Sequence, residues 1–185
     1  MNPAAKVIFL NGVGSVGKTS IAKELQTILA EPYLHVGIDH FIDMLPAHYI
    51  NSAEGIRFET IESNGHPIVK ISVGEIGTHL INGMHQAIAA MASQGNNLII
   101  DEVLVGNEME KYTTLLAPFK VFYIGVFAPL DVIEERERKR GDRLVGLARW
   151  QFDIVHKDKH YDFIIDTTSQ TPLECAQLIK NRFNL

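Results

Sequence analysis

The sequence predicts an α/β fold in which a five-stranded parallel sheet is flanked by helices. Short apolar runs, typical of buried strands, alternate along the chain with longer segments whose apolar residues recur at helical spacing. Such alternation gives a parallel sheet, because each connection between neighbouring strands passes through a helix. Two further observations refine this fold: a glycine-rich turn follows the first strand, and a pair of alternating runs interrupts the pattern.

The elements can be assigned in order along the 185 residues, which fit one domain. Strands are expected at residues 6–11, 33–38, 96–101, 120–127 and 162–166. Helices are expected at 18–30, from Asp39 to a break at Pro46, at 75–94, at 107–116, from Pro129 into an arginine-rich run, at 145–157 and at 172–183.

Residues 51–73 depart from this alternation. The runs IRFETI and PIVKISV flank an Asn64-Gly65 turn, the pattern of a β-hairpin. We interpret the segment from about residue 48 to about residue 75 as a small insertion into the parallel fold.

Composition excludes several classes of protein. The net charge of −5 argues against a nucleic-acid partner, and no apolar segment approaches the roughly 20 residues that a membrane span needs. The single cysteine, Cys175, excludes an intramolecular disulfide and is expected to be a buried small residue rather than a catalytic thiol. The first residues lack the layout of a signal peptide, so we expect a cytoplasmic protein. The sequence leaves both a monomer and a homo-oligomer open.

The stretch LNGVGSVGKTS, from Leu10 to Ser20, matches the phosphate-binding pattern G-x-x-x-x-G-K-[ST] in full. Its glycines let successive backbone N–H groups face a β-phosphate, Lys18 would reach the β- and γ-phosphates, and the Thr19 hydroxyl would bind Mg²⁺. A strand precedes the motif and an amphipathic helix follows it, as this motif requires. The chain is therefore expected to bind ATP with Mg²⁺ through Gly12, Val13, Gly14, Ser15, Val16, Gly17, Lys18, Thr19 and Ser20.

Acidic residues end two of the strands, at the edge where ligands collect in such sheets. Asp101 is a candidate Mg²⁺ and substrate residue, with a helix cap as the alternative, and Glu102 could face either substrate or solvent. Asp39 ends the second strand and is a candidate base for an attacking hydroxyl, although it could instead cap the helix that follows. His40 is a candidate residue of the pocket lining or of the surface.

The run EERERKRGDR, residues 134–143, is either a salt-bridged solvated face or a lid over the phosphates, spanning about residues 136–146. The break at Gly141 followed by a further arginine favours the lid, because guanidinium groups stabilise the charge spread over a transferring phosphoryl group. Arg136 and Arg140 share one helix face and, with Arg143 beyond the break, are the candidate phosphate-binding arginines. Arg138 lies four residues after Glu134 and is expected to pair with it instead.

The last strand ends in IIDTTSQTP. Asp166, Thr167 and Thr168 are expected either to border the nucleotide base or to cap the final helix.

These blocks together resemble the chloramphenicol phosphotransferase family over nearly the whole chain. The most specific matches are the acid of GID after the second strand, RGDR in the lid, and YD followed by DTT near the end. The resemblance implies a P-loop NTPase fold of the nucleoside and shikimate kinase type. It also implies an ATP-dependent kinase in which Asp39 activates a substrate hydroxyl and Arg136, Arg140 and Arg143 attend the phosphates.

The segment RFETIESNGHPIVKISV fits the family loosely, and the family's antibiotic-binding surface lies mostly there. The resemblance therefore implies phosphoryl transfer to a hydroxyl of a small organic molecule, with chloramphenicol or a related antibiotic as one candidate. Two alternatives stand beside it: a nucleotide-sugar kinase of the zeta-toxin type, and a nucleotide-dependent switch without an acceptor. A switch would be expected to carry a guanine-reading motif such as N-K-x-D, which the sequence lacks.

Overall fold

The computed structural model describes residues 5–63, 65–141 and 144–185. In chain order its elements are β1 (Lys6–Asn11), α1 (Lys18–Ile28), β2 (Tyr33–Gly37), α2 (Ile38–Ile42), a 3₁₀ turn (Ala47–Tyr49), β3 (Ile56–Ser63), β4 (His66–Val73), α3 (Glu75–Ser93), β5 (Asn97–Glu102), α4 (Glu108–Leu115), β6 (Lys120–Phe127), α5 (Leu130–Arg140), α6 (Leu147–Phe152), β7 (Phe163–Asp166) and α7 (Pro172–Phe183).

Five parallel strands form the central sheet, in the order β2-β5-β1-β6-β7. The central strand β1 is apolar because both of its faces are covered: Val7, Ile8, Phe9 and Leu10 are fully buried. Ile8 and Leu10 pack on the side of α1 and α7, whereas Val7 and Phe9 pack on the side of α3 and α4. The predicted five-stranded parallel sheet flanked by helices is confirmed.

The segment after α2 forms the expected hairpin, outside the central sheet. Strands β3 and β4 form a separate two-stranded sheet, in antiparallel register from Ile56↔Val73 to Ser63↔His66. Asn64 of the predicted turn lies outside the described residues. At the base of the hairpin Gly55 packs so tightly that a Cβ atom would lie 2.0 Å from the carbonyl oxygen of Tyr49, so no other residue fits there.

The hairpin is joined to the rest of the molecule through α6. The backbone N–H of Val69, a fully buried residue of β4, donates to the carbonyl oxygen of Gly146 over 3.0 Å. Gly146 directly precedes α6, so this helix and the hairpin are fixed to each other at that point.

Helix α6 is much shorter than the predicted helix at 145–157. The chain leaves helical geometry after Phe152, and the carbonyl oxygen of Val155 accepts a hydrogen bond from the side-chain amide of the buried Asn11 over 3.1 Å. This bond holds the segment beyond α6 against β1. Among the described residues, no helix combines the length and apolar character that crossing a membrane requires.

Candidate active site

A cavity of about 510 Å³ opens at the carboxyl ends of the central strands. This volume lies within the range typical of small-molecule sites. Of the predicted site residues, those lining the cavity are Gly14, Ser15, Val16, Gly17, Lys18, Thr19, Ser20, Asp39, His40, Asp101, Arg136, Arg140 and Thr167. Gly12, Val13, Glu102 and Thr168 do not line it, and Arg143 lies outside the described residues.

The loop between β1 and α1 forms the floor of this cavity. Gly12, at the start of the loop, packs closely against β6, since a Cβ atom there would lie 2.5 Å from the carbonyl oxygen of Val126. The ammonium group of Lys18 is buried and donates to the carbonyl oxygens of Gly12 and Val13 over 2.9 and 3.0 Å. The tip of Lys18 therefore lies against the first residues of the loop.

Asp101 joins the loop to the end of β5. The Thr19 hydroxyl donates to Asp101 Oδ2 over 2.6 Å, Lys18 Nζ lies 3.7 Å from Oδ1, and His35 Nε2 lies 3.6 Å from Oδ2. Burial alone would raise the pKa of Asp101, but Lys18, His35 and the bond from Thr19 together lower it. The carboxylate and hydroxyl oxygens of Asp101 and Thr19 are hard ligands of the kind that Mg²⁺ accepts beside nucleotide phosphates, so this pair fits that ion.

Glu102 does not face substrate or solvent, contrary to what was expected from the sequence. Its side chain is buried on the other face of the sheet, where Glu102 Oε1 accepts a hydrogen bond from the Tyr112 hydroxyl over 3.1 Å. Burial raises the pKa of Glu102 from 4.5 to about 8. A residue so enclosed faces neither substrate nor solvent.

Asp39 lies in the first turn of α2, on the cavity wall and exposed. The helix begins at Ile38 with Gly37 as its N-cap, so the alternative of Asp39 as the capping residue is wrong. The neighbouring His40 serves the helix start instead: its Nδ1 accepts a hydrogen bond from the Gly37 N–H over 3.1 Å.

The arginine-rich run divides between two faces of α5. Arg136 and Arg140 line the cavity, one helical turn apart. Arg138 is exposed and donates from Nε to the backbone oxygen of Glu134, so the expected side-chain pair of Glu134 and Arg138 is not formed. The Glu134 carboxylate instead lies 2.6 Å from Arg149 NH2, because α6 packs against this side of α5.

Arg136 reaches the loop after β7. It donates to the hydroxyl and the carbonyl oxygen of Thr167 over 2.9 and 2.6 Å, and the Thr167 hydroxyl in turn donates to the carbonyl oxygen of Val16 over 2.8 Å. Thr168 does not line the cavity, and its backbone N–H and hydroxyl both donate to Asp166 Oδ1.

The final helix is capped by neither Thr168 nor Asp166. Thr171 is the N-cap of α7: its hydroxyl accepts from the Glu174 N–H, and the Glu174 carboxylate accepts from the Thr171 N–H. The alternative that assigned the cap to residues 166–168 is therefore wrong, because the helix starts at the later Thr-Pro pair.

Sequence reasoning missed several residues of the cavity wall, among them His35, Gln151, Gln170 and Cys175. Cys175 is buried as expected, yet it also borders the cavity near Gln170, whose Oε1 lies 3.5 Å from its Sγ. The position of Gln151 did carry a signal. It continues the helical spacing of Leu147 and Ala148, and a polar residue at such a buried position needs a specific partner.

Known proteins resemble this chain in sequence and in fold. The sequence profile described as "Chloramphenicol phosphotransferase-like protein" matches residues 5–184. The chain belongs to this family. Two Mycobacterium tuberculosis proteins, each named "Putative O-phosphotransferase", are 32% identical over 182 residues, which is 95% of this chain and 80% of theirs.

Several solved structures with the same fold are named as kinases. APS kinase of Mycobacterium tuberculosis, in complex with AMPPNP and APS, superposes with a TM-score of 0.70 at 14% identity over 99% of both chains. The tunicamycin resistance protein of Deinococcus radiodurans gives a TM-score of 0.64 at 18% identity over 98% of this chain and 96% of the other. The fold of this family member is that of P-loop kinases, and the protein is a P-loop phosphotransferase.

Proposed function

We propose that this family member transfers the γ-phosphoryl group of ATP to a hydroxyl of a small organic molecule. One observation supports the proposal: the same cavity is lined by a phosphate-binding loop with its lysine, the Thr19–Asp101 oxygen pair, two arginines and the carboxylate of Asp39. Residues 1–185 are proposed to act as one kinase domain in the cytoplasm.

In this reaction the loop binds the phosphates. Backbone N–H groups of the loop and the N-terminus of α1 favour the β-phosphate, and Lys18 attends the β- and γ-phosphates. Thr19 and Asp101 would hold Mg²⁺, which neutralises charge on the β- and γ-oxygens when bound. Arg136 and Arg140 add planar donors along the wall formed by α5, while Thr167 borders the base.

Asp39 is the proposed base. The acceptor hydroxyl gives its proton to the Asp39 carboxylate as its oxygen bonds to the γ-phosphorus. The bond from that phosphorus to the bridging oxygen breaks, and ADP leaves with the electron pair. Most of the rate enhancement then comes from positioning the two reactants and neutralising charge, as in other phosphoryl transfers.

The acceptor is proposed to enter beside α2, His40 and the hairpin, on the side away from Thr167. Chloramphenicol is the first acceptor to test, because the family is described by that antibiotic and a protein with the same fold is named for tunicamycin resistance. A different hydroxylated metabolite, including a nucleotide sugar, would use the same donor half of the site.

The test is MgATP turnover by the purified protein, followed as ADP release with and without chloramphenicol. We expect the antibiotic to raise ADP release and to yield a phosphate monoester. Asp39→Asn should lower this turnover by about 10²–10⁴-fold with ATP affinity retained. Asp43→Asn is the matched control, because this exposed acid ends the same helix and does not line the cavity.

Two outcomes would contradict parts of the proposal. Full turnover by Asp39→Asn would exclude that carboxylate as the base. An unchanged ADP release with chloramphenicol and with a panel of hydroxylated metabolites and nucleotide sugars would exclude the proposed transfer.

A further inference from the structure

Gln151 is a buried glutamine in direct contact with the phosphate-binding loop. It lies on α6, is 4% exposed, and forms part of the cavity wall. Its side-chain Oε1 accepts a hydrogen bond from the backbone N–H of Gly14 over 2.7 Å. A polar side chain so buried is expected to satisfy its hydrogen-bonding groups.

The bond to Gly14 fixes the orientation of the Gln151 amide. Only the oxygen of a side-chain amide can accept a hydrogen bond from a backbone N–H, so the amide nitrogen of Gln151 must point away from Gly14. Among the residues that the structure describes, none accepts a hydrogen bond from Gln151 Nε2. Because Gln151 lines the cavity and Gly14 occupies its amide oxygen, the amide nitrogen is the polar group of this side chain that is left for a ligand. Two N–H donors are thus available at the cavity wall.

Lys18 identifies which part of a bound nucleotide these donors would meet. The Lys18 ammonium bonds to the carbonyl oxygens of Gly12 and Val13, the two residues before Gly14. Since the lysine of this motif attends the β- and γ-phosphates, the first residues of the loop lie on the side of the terminal phosphate. Gln151 contacts the loop on this same side.

The backbone around Gln151 is held in place before any ligand binds. Both carboxylate oxygens of the buried Glu137 accept from α6, one from the Gly146 N–H over 2.8 Å and one from the Ala148 N–H over 2.9 Å. At the other end the N–H of Val155 donates to the carbonyl oxygen of Gln151 over 2.9 Å. A donor fixed in this way binds with little loss of conformational entropy.

We propose that the side-chain amide of Gln151 donates a hydrogen bond to the terminal phosphate of the bound nucleoside triphosphate, so that the site distinguishes triphosphate from diphosphate. This inference rests on the proposed use of ATP. It goes beyond it because neither the phosphate-binding motif nor the arginine-rich run contains this residue. Gln151 is a binding residue for the group that is transferred, supplied by α6.

The test compares nucleotide affinities of the wild type and Gln151→Glu by isothermal titration calorimetry, with ADP and with the non-hydrolysable triphosphate AMPPNP, each with Mg²⁺. The variant has almost the same shape and keeps an oxygen for Gly14, but it places a carboxylate where the amide donor stood. We expect its affinity for AMPPNP to fall at least about 10-fold more than its affinity for ADP.

Gln170→Glu is the matched control, because it adds the same charge to another glutamine of the cavity wall, beside Cys175. This change should affect ADP and AMPPNP by similar factors. Gln151→Met, which removes the donors without adding charge, should lower the preference for AMPPNP over ADP several-fold, and it serves also if Gln151→Glu does not fold. Thermal unfolding of each variant reports on folding separately.

Equal effects of Gln151→Glu on ADP and AMPPNP, or no effect on either, would overturn the assignment. A wild-type protein that binds neither nucleotide would overturn the proposed function itself. The two failures are therefore distinguishable in one set of titrations.

Discussion

Replacing Glu102 by glutamine should stabilise the protein increasingly as the pH rises. Burial raises the pKa of Glu102 from 4.5 to about 8, although the hydrogen bond from Tyr112 opposes the shift, so in this interval the folded protein keeps a proton that the unfolded chain has lost. Folding then takes up a proton, and wild-type stability falls with pH through the interval. Glutamine is neutral at every pH, keeps an oxygen for the Tyr112 hydroxyl and avoids this loss.

The size of the effect follows from the same pKa. One pH unit in the middle of the interval corresponds to about 1.4 kcal/mol and the slope falls off near either pKa, so between pH 5 and pH 8 the variant should gain about 3–4 kcal/mol over the wild type. Urea unfolding of both proteins at several pH values measures this difference, and groups that titrate alike in both cancel. Glu31→Gln is the control, because its exposed carboxylate bonds to Lys6 and should give no such gain.

A difference between Glu102→Gln and wild type that stays constant from pH 5 to pH 8 would refute this reasoning. It would mean that Glu102 ionises in the folded protein near its ordinary pKa, and hence that the far face of the sheet is open to water at this position.

Two further predictions concern stability. Glu137→Ala should lower the free energy of unfolding, measured in urea, by about 2–5 kcal/mol, because it leaves the two backbone N–H groups at the start of α6 buried without acceptors. The control Glu135→Ala, on the exposed side of the same helix, should lower it by less than about 1 kcal/mol. Gly12→Ala should lower the melting temperature strongly, since its Cβ would meet the carbonyl oxygen of Val126 at 2.5 Å. Gly83→Ala, with open space around an exposed helical position, should instead stabilise by about 0.5–1 kcal/mol.

The sequence was sufficient to predict the sheet and to select residues of the loop and of α5 that line one cavity. Short apolar runs ending in glycine or acid identified the strands, because a strand buried on both faces leaves little room for polar residues. The loop pattern located Lys18 and Thr19, and helical spacing separated Arg136 and Arg140 from Arg138, since residues four apart share a face of a helix.

The misplaced Glu102 was within reach of the same reasoning. Successive side chains of a strand point to opposite faces, so Asp101 and Glu102 cannot both face the loop. Glu102 shares its face with Leu98 and Ile100, which pack on the side of α3 and α4. Treating the two acids as a pair overlooked this alternation.

Other features depended on contacts that no local pattern carries. The segment beyond α6 is held by the bond from Asn11 to the carbonyl oxygen of Val155, 144 residues away in the chain. The contact of Gln151 with Gly14 joins residues 137 apart in the chain. Spacing rules describe neighbours along a helix or strand, so they indicate that a buried polar residue needs a partner without naming that partner.

The hairpin has a consequence for how this family can diversify. Its strands share no ladder with the central sheet, while its base is fixed by the tight packing of Gly55 and its middle by the bond from Val69 to Gly146. Exposed residues of the hairpin can therefore be substituted without disturbing the strands that carry the phosphate-binding loop. The same holds when these residues are exchanged between relatives in a chimera. Gly55 at the base is the position that must stay glycine, because any side chain there would collide with the carbonyl oxygen of Tyr49.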